Sequence, residues 1–211
     1  MPELKTNYVD IPGANKPLDL SDLLTKYPTY NNRQGDLKFH VLNGYSDWNV
    51  LYQEIANYVH GKRMQVTLED DPDYYYEGRI TVGEWTSNND GTWSDITFHY
   101  ELDPYKYAKV AYSETLTVDG STTKAMVYRR EDIGRMPVVP EITVSNIGTG
   151  GVRIDTYNRE LLGGFVSHNI TQNGKYTFYD MVLSVIDPTN DCYMHLSGHG
   201  TAKLTFRRGE L

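Results

Sequence analysis

The sequence predicts a mainly β protein: an N-terminal β-sandwich or barrel-like domain with one packed α-helix, then a second β-sandwich. Three observations lead there. Apolar and polar residues alternate at period two through most of the 211 residues, the pattern of half-buried antiparallel strands. One stretch, residues 46–61, changes to helical spacing. In the second half, turn residues recur at short, even intervals, as they do in sandwiches.

The first clear strand covers residues 36–43, where Leu37, Phe39 and Val41 alternate with Lys38, His40 and Leu42. In residues 46–61, Trp48, Leu51, Tyr52, Ile55 and Val59 fall on one helical face. Ser46 or Asp47 is suited to cap its start, and Gly61 stands where a left-handed C-cap is expected. The helix, about residues 46–60, should therefore pack across a sheet. Residues 63–69, 74–85 and 93–102 resume the strands, with Met64, Val66, Leu68, Ile80, Val82, Ile96, Phe98, Tyr100 and Leu102 inward. Their turns are Asp70-Asp71-Pro72-Asp73 and Asn88-Asn89-Asp90-Gly91. Upstream, residues 18–24, with Ser21 and Asp22, suggest one or two helical turns.

Pro104 removes a ladder donor and closes the first module, so the domains are read as residues 1–108 and 109–211. The polar stretch 113–135 holds a turn signal at Asp119-Gly120-Ser121 and three arginines, Arg129, Arg130 and Arg135. Short strands are then expected at residues 141–145, 151–156, 175–178, 181–185, 192–196 and 201–207, with no convincing helix. Turns at 148–151, Asn173-Gly174, Asp187-Pro188 and Ser197-Gly198-His199-Gly200 separate them. The last strand is the clearest, with Ala202, Leu204 and Phe206 on one face.

Composition narrows the function classes. The net charge of −8, with both signs interspersed, argues against a DNA-binding protein, which presents a basic stripe. It suits a surface that DNA slides past without adhering. Cys192 is the single cysteine, so an intrachain disulfide is impossible and folding in a reducing cytoplasm is the better reading. The sequence has no signal-like N-terminal run and no stretch of apolar residues long enough to span a membrane as a helix. Tyrosine stands out, with 18 residues against 5 Phe and 3 Trp. It favours strands and half-exposed positions, and it is enriched where proteins meet.

No constellation for catalysis emerges. Glu69, Asp70, Asp71, Asp73 and Glu77 form an acidic cluster, but most of it crowds around a proline turn on one exposed tip. A glycosidase holds its two carboxylates on opposing walls of a cleft. The spacing also lacks the glycine and distant glutamate of a calcium loop. Cys192, His195 and His199 form C-x2-H-x3-H, yet on a strand the two imidazoles would stand roughly 13 Å apart, at about 3.3 Å per residue. That is too far to share a zinc ion. A G-x-S-x-G elbow, a Walker-type loop and H-E-x-x-H are all missing. The glycines at 148–151 and 198–200 read as turns. The three arginines read as a solvated loop, open to a carboxylate or phosphate of a partner. The sequence therefore assigns no catalytic, cofactor-binding or metal-binding residue, and the protein is not expected to be an enzyme.

The run from Val66 to Arg79, Val-Thr-Leu-Glu-Asp-Asp-Pro-Asp-Tyr-Tyr-Tyr-Glu-Gly-Arg, resembles the signature hairpin of phage distal tail (Dit) proteins, the hubs of siphophage tail tips. Its motif residues are Glu69, Asp70, Asp71, Pro72, Tyr74, Tyr75, Tyr76 and Gly78. Tyr8-Val-Asp-Ile-Pro-Gly13 followed by Leu18-Asp-Leu20 is similar to the family's opening strand and turn. Residues 43–61 match its single helix, Trp85 begins the usual departure from the sheet, and Asp103-Pro-Tyr-Lys106 closes the domain. Met136-Pro-Val-Val-Pro140 and Gly198-His-Gly-Thr-Ala-Lys-Leu-Thr-Phe206 resemble the start and last strand of its C-terminal sandwich. Members usually carry a short segment before the opening strand, and this chain begins almost at that strand. Its sheet edge is therefore expected to be open or completed by a neighbouring subunit.

The resemblance implies a homohexameric ring of N-terminal domains, stacked between the tail tube protein and a tail-associated, baseplate or receptor-binding protein. Galectin-like or jelly-roll C-terminal sandwiches would project outward. It further implies a place at the virion tail tip, assembly in the bacterial host cytoplasm, no cofactor, no membrane insertion, and DNA only as cargo in the lumen. The motif hairpin is expected at the ring interface or lumen. The competing reading is a carbohydrate-binding module that attaches the tail to host surface glycan, with Tyr157, Phe165, Tyr176 and Tyr193 as its aromatic platform. A tail-borne cell-wall hydrolase is a further rival, but no acid and base pair can be named for it.

Overall fold

The computed structural model describes residues 1–23, 25, 27–42, 48–87, 93–158, 165–185 and 192–211. The chain divides into two compact units: Met1–Lys5 with Tyr30–Lys106, and Thr6–Thr29 with Tyr107–Leu211. No helix among the described residues is long and apolar enough to cross a membrane.

Strands β1 (Tyr8–Val9) and β2 (Leu18–Asp19) pair antiparallel with each other. Leu18 is therefore in a strand, where residues 18–24 suggested helix. The Asp19 carboxylate accepts the Ser21 N–H at 2.9 Å and its hydroxyl at 2.5 Å, a local turn that competes with helix initiation. Leu24 lies outside the described residues.

In the first unit, β3 (Arg33–Val41), β4 (Lys62–Val66), β5 (Tyr74–Ser87) and β6 (Ser94–Leu102) form antiparallel pairs, β4 with β5, β5 with β6 and β6 with β3. Directly opposed residues share a face. Leu37, Phe98 and Val82 thus make one apolar row, and Phe39, Ile96 and Trp85 the next. The alternation read from the sequence holds in these strands, except that β4 ends at Val66, so Leu68, expected inward, lies beyond it and is exposed. A bulge in β5 between Val82 and Trp85 keeps Trp85 on this face after the extra residue. Helix α1 (Trp48–Val59) meets it there, with Trp48 and Tyr52 at 6.0 and 5.8 Å from the Trp85 ring. A helix, rather than a second sheet, thus packs on the apolar face. Gly61 follows the helix with φ +73°, as the C-cap reading expects. Ser46, Asp47 and the turn at 88–91 lie outside the described residues. The other face carries cross-strand polar contacts, among them His99 with Asp36 at 2.6 Å, and His40 with Asp95.

The second unit holds β8 (Tyr112–Asp119), β9 (Lys124–Tyr128), α2 (Arg130–Ile133), β10 (Glu141–Ser145), β11 (Val152–Asn158), β12 (Phe165–Ile170), β13 (Gly174–Thr177) and β14 (Cys192–Phe206). Two short strands, β7 (Lys106–Ala108) and β15 (Gly209–Glu210), flank them in sequence. The long strand β14 organises the unit. Its first half pairs with β11 and β9, its second half with β10 and β8. Strand β12 extends one sheet beside β11, and β13 extends the other beside β10. The inward residues Ile154, Met194 and Leu196 of one sheet and Ile142, Ala202 and Leu204 of the other are fully buried.

Several local expectations are corrected here. Ser197-Gly198-His199-Gly200 is not a turn between two strands but a corner inside β14, where a strand passes from one sheet to the other. Gly198 has φ +93°, and a Cβ there would sit 2.3 Å from the Gly151 carbonyl oxygen. The stretch 113–135 is not a connection but contains β8, β9 and the single turn of α2. Polar outward residues such as Ser113, Thr115, Thr117 and Lys124 mask the inward Leu116, Val118, Met126 and Tyr128. Residues 181–185 are not a strand, since only Leu183 bridges, to Val138. Met181, Leu183 and Val185 are buried nonetheless. Strand β12 was not expected, because its half-buried row includes His168, whose ring stacks on Phe178 at 3.9 Å and pairs with Asp180 at 3.0 Å. Asp187 and Pro188 lie outside the described residues.

Candidate functional site

The motif hairpin links β4 to β5. Hydrogen bonds from the Asp71 N–H to the Leu68 carbonyl and from the Tyr74 N–H to the Asp71 carbonyl form it, at 3.2 and 3.3 Å. Glu69, Asp70 and Asp73 are exposed, together with Pro72. The Lys106 ammonium donates to the Asp71 carboxylate at 2.6 Å and lies 4.4 Å from the Tyr74 ring centroid. That hydrogen bond raises the Lys106 pKa above its ordinary value despite partial burial. Arg63 bridges Glu77 at 3.0 Å and Asp103 at 2.5 Å, and Arg33 stacks over Tyr76 at 5.3 Å. Tyr75 is buried, and Gly78 runs so close to β6 that a Cβ would meet the Glu101 carbonyl oxygen at 2.2 Å. Asp71 and Glu77 are thus each held by a cation. No two carboxylates of the hairpin are set up as an acid and base pair.

The second feature of this unit is its apolar face. Phe39 touches Phe98 edge-on at 5.3 Å yet remains 51% exposed. A cavity of about 470 Å³ opens between α1 and the sheet, lined by Leu37, Phe39, Ile55, Val59, Ile96 and Phe98 among others. No residue of α1 is fully buried. Among the described residues, the only buried apolar side chains of this unit are Tyr75, Ile80, Val82, Ile96 and Leu102. The second unit, by contrast, closes a continuous core from Val118 to Phe206. Among the described residues, an apolar sheet face thus stays partly exposed beside a small core.

On the second unit, three of the four expected platform aromatics come together. Tyr157 stands directly opposite Phe165 on one side and Tyr193 on the other. Tyr176 does not join them. It sits on β13 in the other sheet, with its hydroxyl donating to the Gln172 carbonyl at 2.7 Å and its ring parallel to Phe178. Asp155 and His195, which the sequence reading left out of the platform, line the same cavity of about 420 Å³. Burial pushes the Asp155 carboxyl up, but hydrogen bonds from Ser167 and Arg153 outweigh it and hold the group below its ordinary value. The i, i+2 spacing of Asp155 with Tyr157, and of Tyr193 with His195, was the legible signal that each pair shares a face. Cys192 is fully buried in the core whereas His195 points outward, so these two cannot ligate one metal ion. Arg129 pairs loosely with Glu131 at 3.8 Å.

No family model matches the sequence, and no curated protein does. A solved structure does share the fold: the crystal structure of SPP1 Dit (gp 19.1), described as a paradigm of the hub adsorption apparatus in phages infecting Gram-positive bacteria. The TM-score is 0.62 at 13% identity, over 98% of this chain and 89% of that one. The chain therefore has a Dit-like, mainly β fold across both units.

Proposed function

We propose that this chain is a structural component of a phage tail tip, a distal-tail hub that joins the tail tube to tail-tip or baseplate proteins. The carrying observation is the likeness to a hub protein over 98% of the chain, since sharing one sandwich alone would account for only part of it. The open apolar face of the first unit adds physical support. Phe39 and its neighbours leave water only when a second surface meets them.

In this reading the first domain, read from the sequence as residues 1–108 and centred on the unit Tyr30–Lys106, builds a homohexameric ring, and the second domain projects from it. The hairpin bearing Glu69, Asp70, Asp71, Pro72, Tyr74, Tyr75, Tyr76 and Gly78 lies at the ring interface or lumen, and the net charge of −8 keeps passing DNA from adhering. The role is structural rather than catalytic, at the virion tail tip. Its partners are further copies of the chain, the tail tube protein, and a tail-associated, baseplate or receptor-binding protein.

Light scattering combined with negative-stain microscopy, over a range of concentrations and with tail tube protein added, tests the reading. Six-fold rings with a central hole are expected, and Phe39→Asp should abolish them. A strict monomer under every one of these conditions would overturn it.

A further inference from the structure

The outward face of the sheet built from β12, β11, β14 and β9 carries an ordered arrangement that the hub reading does not use. Phe165, Tyr157 and Tyr193 stand in register on three adjacent strands. Neighbouring strands lie about 4.8 Å apart, so the outer two rings are anchored about 10 Å from each other. Phe165 is 57% and Tyr157 43% exposed. Two residues along each strand runs a second row in the same register, Ser167, Asp155 and His195. Two residues along a strand is about 7 Å, so the two rows lie side by side on one face. Arg153 stands beyond Asp155 and donates to its carboxylate at 2.8 Å.

We infer that this face binds a neutral oligosaccharide, with a pyranose stacked on the aromatic row and its hydroxyls reaching the polar row. The pairing of rows is what selects this ligand class. A sugar ring offers a C–H face to an aromatic surface and hydroxyls at its rim, and this cavity of about 420 Å³ supplies both complements. The Asp155 carboxylate accepts from Arg153 and Ser167 and keeps acceptor capacity for a sugar hydroxyl, while His195 can donate or accept. The centre of a protein–protein contact is depleted in charged groups, whereas Asp155 and His195 lie within this cavity. The net charge of −8 disfavours an acidic polysaccharide. The inference stands whether or not the chain assembles into a ring.

The test uses the full chain on an array of immobilised neutral oligosaccharides, followed by calorimetric titration with the strongest binder. Millimolar or tighter binding is expected. Tyr157→Ala and Asp155→Asn should each weaken it at least tenfold, with both variants still folded by circular dichroism. Tyr179→Ala, which removes an aromatic that is 83% exposed and does not line this cavity, should leave it intact. Phe165→Ala provides a second platform variant in case Tyr157→Ala disturbs folding. Absence of binding by the parent chain, binding indifferent to Tyr157 and Phe165, or binding only of a protein through this face would each overturn the inference.

Discussion

Lys106 and Asp71 are joined by a 2.6 Å ion pair, with the Lys106 ammonium also held over the Tyr74 ring at 4.4 Å. The pair ties the tip of the acidic hairpin to the residue that ends the first unit, so the cluster serves the fold before it serves any ligand. Both side chains are mostly covered, at 22% and 27% exposure. Lys106→Met or Asp71→Asn is expected to cost about 0.5–1 kcal/mol, the upper range for such pairs. The Lys106 pKa is raised above 10.5, so its contribution is complete below 10.5 and fades as pH rises through the higher folded value. Urea unfolding at neutral and strongly alkaline pH should show the gap between parent and Lys106→Met narrowing on the alkaline side.

The corner in β14 makes Gly198 irreplaceable. Its φ of +93° and the Gly151 carbonyl 2.3 Å from a would-be Cβ both oppose any side chain. Gly198→Ala should destabilise by about 1–3 kcal/mol from the backbone conformation alone, and by more where the clash forces β11 to move. Thermal unfolding would register it as a clear drop in Tm, and an unchanged Tm would contradict the corner.

Burial differs sharply between Leu204 and Phe39. Leu204 is 0% exposed in the core of the second unit, and Leu204→Ala should cost about 2–5 kcal/mol. Phe39 is 51% exposed, so Phe39→Ala should change the stability of the isolated chain by about 1 kcal/mol or less. Denaturant titration at low protein concentration compares the two directly, and sedimentation at high concentration reports the effect of Phe39 on assembly.

At the turn between β8 and β9, Asp119 accepts the Ser121 hydroxyl at 2.8 Å, the Ser121 N–H at 3.1 Å and the Thr122 hydroxyl at 3.3 Å. The Ser121 hydrogen bonds lower its pKa to about 2. A depressed carboxyl stabilises the fold above its ordinary value of 3.8 and stops doing so as pH falls through about 2. NMR titration of the Asp119 carboxyl carbon should place its midpoint near that lower value. The Tm gap between parent and Asp119→Asn should close over the same acidic interval.

Much of this architecture was legible residue by residue. The alternation in 36–43, 74–85 and 93–102 and the helical face of Trp48, Tyr52, Ile55 and Val59 are local periodicities, and each corresponds to an element of the fold. So are the Gly61 cap, the Asp119-Gly120 turn and the inward set Ala202, Leu204 and Phe206. What period two cannot convey is which strand lies beside which. It says that Tyr157 and Asp155 share a face, but not that Phe165 and Tyr193 flank Tyr157 or that Tyr176 belongs to another sheet. It marks Phe39 as apolar and inward-facing, but not that α1 leaves it half uncovered. It reads two strands around Gly198, where the chain runs on as one strand shared by two sheets. Faces follow from the geometry of a single strand, whereas neighbours, registers and uncovered surfaces come from packing among strands far apart in the chain.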